Sequence, residues 1–481
     1  MEPDEFRKHA HELVDWMAGY LENVESFPVK SSVAPGDVFN RIPDIPPEQP
    51  EPFSALMRDL DEIIMPGITH WQNPNFFAYF PANTSPPSIL AEMIISALGA
   101  QCMIWETSPA AAELEEKMMN WLRDMIGLPS GFEGVIQDSA STATLAAILT
   151  AREKSTGFSV NTEGAEYSGT LRVYCSDQTH SSVEKAVKIS GIGRNNLVKI
   201  PVRDDFSMDT EKLKSEIASD IKNGLIPCCV VATLGTTGTT AVDPLRPIGE
   251  ICKENSIWLH VDAAMAGTAL ILPEFQWMLE GREFIDSFVF NPHKWMFTNF
   301  DCTAYFVKDA ATLIKTFEIL PEYLKTRTRG LVNDYRDWGV PLGRRFRALK
   351  LWSVIRSYGT QGLRDKIRYH INIASRLSGM ISKEADFEIL APVIICVVCF
   401  RFNPAGFNDE QKNDINEKLN HQLNDSGKLY LSHTVLKGRY TLRMVTAQTN
   451  VTLDHVEKAW DLILTTAHSL NTDGLKLPLA K

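Results

Sequence analysis

No apolar run in this sequence approaches the ~20 residues that a membrane-spanning helix requires. The longest, Val393 to Phe400, suits a buried strand. The opening MEPDEFRKHAHEL is acidic and polar and contains no apolar signal core. A soluble cytoplasmic protein without a membrane partner is therefore expected. Cysteine is scarce, with 8 among 481 residues. With no secretion signal read in the opening residues, a disulfide framework is not expected. Cys396 and Cys399 form C-V-V-C, but β-branched core residues flank them and no second ligand pair lies nearby, so neither zinc nor redox chemistry is favoured. Basic charge is also short: 48 Lys and Arg against 60 Asp and Glu leave −12. Nucleic-acid binders usually show the reverse balance. Repeats and low-complexity tracts are missing too.

What is present is ordinary globular composition, 44% hydrophobic and 22% charged. Residues 1–85 form an opening segment. A helical pattern runs from Phe6 to Leu21, an extended proline-rich strap from Ile42 to Pro52, and a second helix from Phe53 to Ile64. Residues 86–360 alternate strands with helices. The strands are LRVYC (171–175), CCVVAT (228–233), IWLHVD (257–262), DSFVF (286–290) and CTAYFV (302–307). Helical patterns cover Ala143–Lys154, Thr210–Lys222 and Pro244–Glu254. The alternation predicts an α/β domain with a mainly parallel sheet, whose ligand site lies beyond the strands' carboxyl ends. Residues 361–481 mix helices (Asp409–Asn424, Asp454–Leu470) with strands (VIICVVCFRF, YTLRMV) and read as a smaller α+β domain ending in a frayed tail, NTDGLKLPLAK.

Four motifs could carry chemistry. Lys294 follows the strand DSFVF in Asn291-Pro292-His293-Lys294-Trp295. A lysine there can form a Schiff base with a carbonyl compound, although alone it could be an ordinary surface lysine. Asp262 ends another strand in HVDAA, where it could pair with a protonated ring nitrogen or merely cap a helix. Gln137-Asp138-Ser139-Ala140-Ser141-Thr142 precedes a strong helix, so its hydroxyls and free N–H groups could form a phosphate cup or a plain N-cap. It lacks a Walker lysine, and Gly191-Ile192-Gly193 lacks the third glycine of a dinucleotide fingerprint. His180 follows LRVYC and could stack on a flat ligand or serve structure alone. Together these supply a Schiff-base lysine, a carboxylate, a phosphate cup and a stacking ring, the set that pyridoxal phosphate requires.

With those residues in view, the chain resembles the aromatic L-amino acid decarboxylases, within the group II pyridoxal-phosphate decarboxylases. The likeness runs from Phe6 to about Leu470. It rests on THWQNPNFFAYFP (69–81), SPAAAELE (108–115), SDQTHSSVEKA (176–186), ATLGTTGTT (232–240), WLHVDAA (258–264), NPHKW (291–295), PEYLK (321–325) and PLGRRFRALKLW (341–352). The resemblance implies fold type I of the pyridoxal-phosphate-dependent transferases, with pyridoxal 5'-phosphate bonded to Lys294. Asp262 would face the ring nitrogen, with Ala264 and His180 on either side of the ring. Ser139, Ala140, Ser141, Asn291 and His293 would anchor the cofactor, with Thr237 near ring and substrate. The implied homodimer shares its active sites, Gly343 reaching the partner's phosphate and Tyr323 delivering a proton across the interface. The N-terminal segment would wrap the partner. No metal is implied.

The resemblance further implies that Trp71, Tyr79, Phe80 and Pro81 hold an aromatic substrate side chain. Tyr323 and His180 match decarboxylases rather than the related aldehyde synthases, so amine formation is expected. The chain departs from animal members at Ala82, Gln101, Met103 and Met265, around the implied substrate wall and after HVDAA. Its loop after Tyr323, Lys325 to Asp334, is shorter, polar and basic, as a mobile lid would be. Gly343 matches indole-preferring plant members, but also animal members that use catechols. Competing expectations are an aldehyde synthase, a decarboxylase of non-aromatic amino acids, and a catalytically idle homologue.

Overall fold

This computed structural model describes residues 1–319 and 330–474. The chain forms two compact units. The first combines Met1–Pro81 with Ile373–Leu390 and the chain from Cys396 onward; the second comprises Ala82–Asn372 with Ala391–Ile395.

The first unit begins with α1 (Pro3–Asn23) and α2 (Phe53–Asp59). The helix expected over 53–64 is α2 followed by a π-turn at Leu60–Ile64. Residues 42–52 form neither helix nor strand, because proline lacks the N–H that either ladder needs.

The second unit contains α3 (Pro86–Leu98), α4 (Pro109–Ile126), β1 (Glu133–Gln137), α5 (Ala140–Ser155), α6 (Ser159–Glu163), β2 (Leu171–Ser176), α7 (Ser181–Ile189) and β3 (Leu197–Ile200). It continues through α8 (Thr210–Lys222), β4 (Ile226–Thr233), α9 (Leu245–Glu254), β5 (Trp258–Asp262), β6 (Ser287–Phe290), α10 (Pro292–Trp295), β7 (Thr303–Val307) and α11 (Ala310–Phe317). The long α12 (Arg347–Ile381) breaks helical geometry at Gly359, φ 65°. Its seven strands lie in the order β1-β7-β6-β5-β4-β2-β3. β2 through β6 run parallel, and β7 runs antiparallel to both of its neighbours. Both faces of β5, β6 and most of β4 are buried, which explains their continuous apolar runs. Alanines 143, 146, 147 and 151 let α5 approach Val173, Val231 and Val289 closely.

The first unit resumes with β8 (Phe387–Ile389), β9 (Val397–Phe402), α13 (Asp409–Asp425), β10 (Ser432–Leu436), β11 (Arg439–Val445) and α14 (Leu453–Gly474). Its four strands form an antiparallel sheet, β10-β11-β9-β8. Residues 471–474, expected in a frayed tail, continue α14. No helix among the described residues is long and apolar enough to cross a membrane.

All eight cysteines are free and buried. Burial pushes the Cys399 and Cys228 thiols up to about 11, so neither has the depressed thiolate pKa of a redox motif. Asp243 ties the end of β4 to the segment before α8. Buried itself, it accepts the Met208 N–H at 2.7 Å and the Thr233 N–H at 2.8 Å. Asp243→Ala would orphan both donors and should cost about 2–4 kcal/mol. Urea unfolding followed by circular dichroism measures it; a loss below about 0.5 kcal/mol would show that the two donors find other partners.

Candidate active site

The parallel strands carry the four sequence motifs to one edge of the sheet. β1 ends at Gln137 before the cup, β2 at Ser176 before His180, β5 at Asp262, and β6 at Phe290 before Asn291. Ligand sites of open α/β sheets form beyond these carboxyl ends.

Lys294 lies on the short α10 and is half-buried. Desolvation pushes its pKa below the usual lysine value, and the nearby Asp262 charge partly opposes that shift. Such an ammonium gives up its proton more easily, as a nucleophilic amine must. Asp262 is buried, and its Oδ1 accepts the Ala264 N–H at 3.0 Å. His180 N-caps α7: its Nδ1 accepts the Ser182 N–H at 3.2 Å and lies 2.8 Å from Ser182 Oγ. A donor at Nδ1 places the proton of a neutral imidazole on Nε2. Desolvation lowers the His180 pKa, Asp262 raises it, and Lys294 lowers it. These mutual effects place the three groups within electrostatic reach of one another.

The neighbouring residues expected to anchor a cofactor are held largely by the backbone. Asn291 donates its N–H to the Ala264 carbonyl at 2.9 Å, and its Oδ1 accepts Thr303 Oγ1–H at 2.9 Å. His293 Nδ1 accepts the Cys302 N–H at 3.0 Å, and burial, reinforced by Lys294, lowers its pKa to about 3. Ser139 N-caps α5 by accepting the Thr142 N–H at 3.2 Å, while Thr142 Oγ1 donates to Asp138 Oδ2 at 3.1 Å. The N–H groups of Ala140 and Ser141 have no acceptor among the described residues. Two free donors at the start of a 16-residue helix, with a half-buried lysine and a buried carboxylate at the same sheet edge, fit a phosphorylated aldehyde with a basic ring nitrogen. Thr237 is exposed in the loop after β4, which Gly235 turns at φ 80°.

The expected substrate wall divides between the units. In the first, Trp71 stacks on Tyr79, with ring centres 5.9 Å apart, and packs on Phe76 at 4.4 Å. Tyr79 sits at φ 53°, held by its N–H to Ser432 Oγ and its hydroxyl 3.2 Å from that of Tyr430. Phe80 lies under the Arg443 guanidinium at 5.6 Å, and Pro81 is buried. Tyr430 and Arg443 complete this cluster but belonged to no recognised motif. In the second unit, Ala82 and Met103 are partly buried. The exposed Gln101 accepts the Arg344 N–H at 2.7 Å. A Cβ added to Gly343 would stand 3.3 Å from Gln101 Nε2, so these two residues are direct neighbours. Met265 belongs to the core, 1% exposed. Tyr323 and residues 325–329 of the expected lid lie outside the described residues.

A desolvated lysine beside a carboxylate and an imidazole, with an anion-receptive helix start, defines a site for carbonyl-cofactor chemistry. The family model "Pyridoxal-dependent decarboxylase conserved domain" matches residues 35–403. Tyrosine decarboxylase 3 of Petroselinum crispum is 42% identical over 488 residues, covering 98% of this chain and 94% of the relative. Phenylacetaldehyde synthase of Petunia hybrida is 43% identical over 480 residues, covering 96% and 94%. The structure of Catharanthus roseus tryptophan decarboxylase in complex with L-tryptophan superposes with a TM-score of 0.92 at 39% identity, covering 98% of this chain and 99% of the other. The chain belongs to the pyridoxal-dependent decarboxylase family.

Three buried histidines set an acid limit. Burial lowers His260 to about 4 and both His293 and His370 to about 3. Their folded pKa values lie below the unfolded value of about 6.5, so their stabilisation is complete above that pH and is lost as pH falls. Together they should remove up to about 4 kcal/mol per pH unit once the unfolded chain is charged. Urea midpoints measured between about pH 7 and pH 5 should fall steeply; a flat profile would mean these rings are protonated in the fold.

Proposed function

We propose that this protein decarboxylates an aromatic L-amino acid to its arylalkylamine and carbon dioxide. The observation that carries the reading is the convergence of Lys294, Asp262 and His180 at the strand ends, in a chain so similar to tyrosine and tryptophan decarboxylases. When bound, pyridoxal 5'-phosphate supplies the electron sink that accepts the pair released as the carboxylate leaves.

Every other part falls to the chain's own residues. Lys294 provides the amine that holds the cofactor aldehyde, and its desolvation favours the unprotonated form. Asp262, fixed through Oδ1 by the Ala264 N–H, would hold the proton on the ring nitrogen. His180, with Nδ1 engaged by Ser182, would cover one ring face and present Nε2–H; Ala264 would back the other. Ser139, Ala140, Ser141, Asn291 and His293 would secure the phosphate end. Thr237 would orient the substrate carboxylate. Tyr323 would deliver a proton to the substrate α-carbon, which decides for amine over aldehyde.

The stacked Trp71–Tyr79 pair, with Phe80 and Pro81, supports an aromatic substrate side chain. Ala82, Gln101 and Met103 would tune which ring is accepted. A cytoplasmic homodimer completes the reading, with Gly343 and Tyr323 acting across the interface and residues 1–85 lying on the partner. Its support is the exposure of Phe6, Phe39 and Ile45, at 63%, 77% and 76%. The division into segments 1–85, 86–360 and 361–481 is part of the same proposal; by compactness alone the breaks fall after Pro81 and Asn372, and residues 1–81 group with the C-terminal segment.

The likeness to a phenylacetaldehyde synthase favours one second reading, decarboxylation with oxidative deamination. Product analysis separates them. Purified holoenzyme is offered tryptophan, 5-hydroxytryptophan, tyrosine, dopa and phenylalanine, with amine, aldehyde and peroxide quantified. Amine without peroxide is expected; aldehyde with peroxide would establish the second reading. Lys294→Ala should lower turnover by at least about 10³-fold. Sustained decarboxylation by that variant would sink the scheme. Tyr323→Phe should divert output to aldehyde, and an unchanged amine yield would remove Tyr323 from the proton-donor role.

A further inference from the structure

The edge of the large sheet opposite Lys294, where the parallel strands begin, carries an open groove of about 860 Å³. It lies wholly within the second unit. Its volume is in the range of small-molecule sites. Pro227 and Cys228 of β4, Trp258 of β5, Cys252 and Phe284 give it an apolar and aromatic lining. Lys154, Lys253 and Lys308 add three ammonium groups.

Two of the cations stand over rings. Lys154 Nζ stands 5.2 Å from the Trp258 ring centre, and Lys253 Nζ 5.7 Å from that of Phe284. Lys308 Nζ donates to the Glu283 carbonyl at 3.0 Å. The nearby carboxylates are otherwise engaged. Glu283 pairs with Arg246 at 3.0 Å. Asp309 caps α11 through the Thr312 N–H and meets Lys154 at 3.4 Å. Asp286 accepts the Leu259 N–H at 2.8 Å, and burial pushes its pKa upward. Neither Lys253 nor Lys308 forms an ion pair within 4.0 Å of a carboxylate among the described residues, although the Lys308 and Lys154 charges partly oppose the upward shift of Asp286. Two ammonium groups without a direct ion pair, Lys253 over the Phe284 ring and Lys308 at the Glu283 carbonyl, attract an anion that brings a ring of its own; a bare inorganic anion would gain nothing from the apolar lining.

We infer that this groove binds a small aromatic carboxylate, with its ring between Trp258 and Phe284 and its carboxylate on Lys253 and Lys308. The site has a physical connection to the opposite edge. Trp258 Nε1–H donates to Ser287 Oγ at 2.8 Å, and Ser287 Oγ lies 2.9 Å from His260 Nδ1. His260 Nε2 in turn lies 3.4 Å from Thr144 Oγ1 on α5, the helix that begins at the cup. A ligand that shifts the indole therefore acts on a buried chain leading to that helix. The groove does not depend on the decarboxylase reading.

The test uses holoenzyme whose cofactor aldehyde has first been capped with phenylhydrazine, so that an acid cannot register at the catalytic site. Indole-3-acetate is titrated by calorimetry, with tryptamine and indole-3-acetamide as cationic and neutral counterparts. Saturable binding of the acid alone is expected. Lys253→Ala should weaken it about tenfold and the Lys253→Ala/Lys308→Ala double variant further. Both lysines are exposed, so the variants should fold normally, which the unfolding midpoint checks. No binding of indole-3-acetate, equal binding of the amide, or an unchanged Kd in a folded double variant would each overturn the assignment.

Discussion

Parallel pairing of β2 through β6 is the constraint on which the rest of this molecule depends. A parallel sheet gives every strand the same polarity, so residues far apart in sequence leave the sheet along one line. His180, Asp262 and Lys294 meet because each follows or ends a strand of that set. No side chain had to be drawn there individually. Within β5 the same polarity separates two environments, with Trp258 at one end and Asp262 at the other. Alternation along the strand puts Trp258, His260 and Asp262 on one face, so a short strand joins the two edges by its own side chains.

The second consequence is dryness. Helices cover both faces, and groups enclosed between them are pushed toward neutrality. His260 and His293 lose basicity through burial, and Lys294 moves in the same direction. For the lysine that shift favours the neutral amine; for the histidines it is structural, since neutral rings can accept backbone or side-chain donors without an uncompensated charge. Backbone N–H groups do most of the orienting. Ala264 fixes Asp262, Ser182 fixes His180, and Cys302 fixes His293.

Much of this was legible in the sequence because it is local. The five strands read from apolar runs are all present, and Thr210–Lys222 is a helix over that very span. β1 and β3 escaped because EGVIQ carries glycine and two polar ends and LVKI has only four residues; their strand character comes from pairing with β7 and β2. The same distinction applies at the site. Lys294, Asp262 and the cup were visible as motifs beside strands. Thr303 behind Asn291, Tyr430 beside Tyr79 and the contact of Gln101 with Gly343 arise from tertiary pairing and have no local signature.

The eight buried thiols have a practical meaning. They are spread over both units, from Cys102 to Cys399, and the alkylating thiolate is suppressed at each by burial. The folded chain should accordingly ignore a thiol reagent that the unfolded chain takes up at once. Each cysteine is thus a timed marker of its surroundings: the rate at which it becomes labelled reports how often that part of the fold opens, so the order of labelling would map which segments loosen first without introducing any probe.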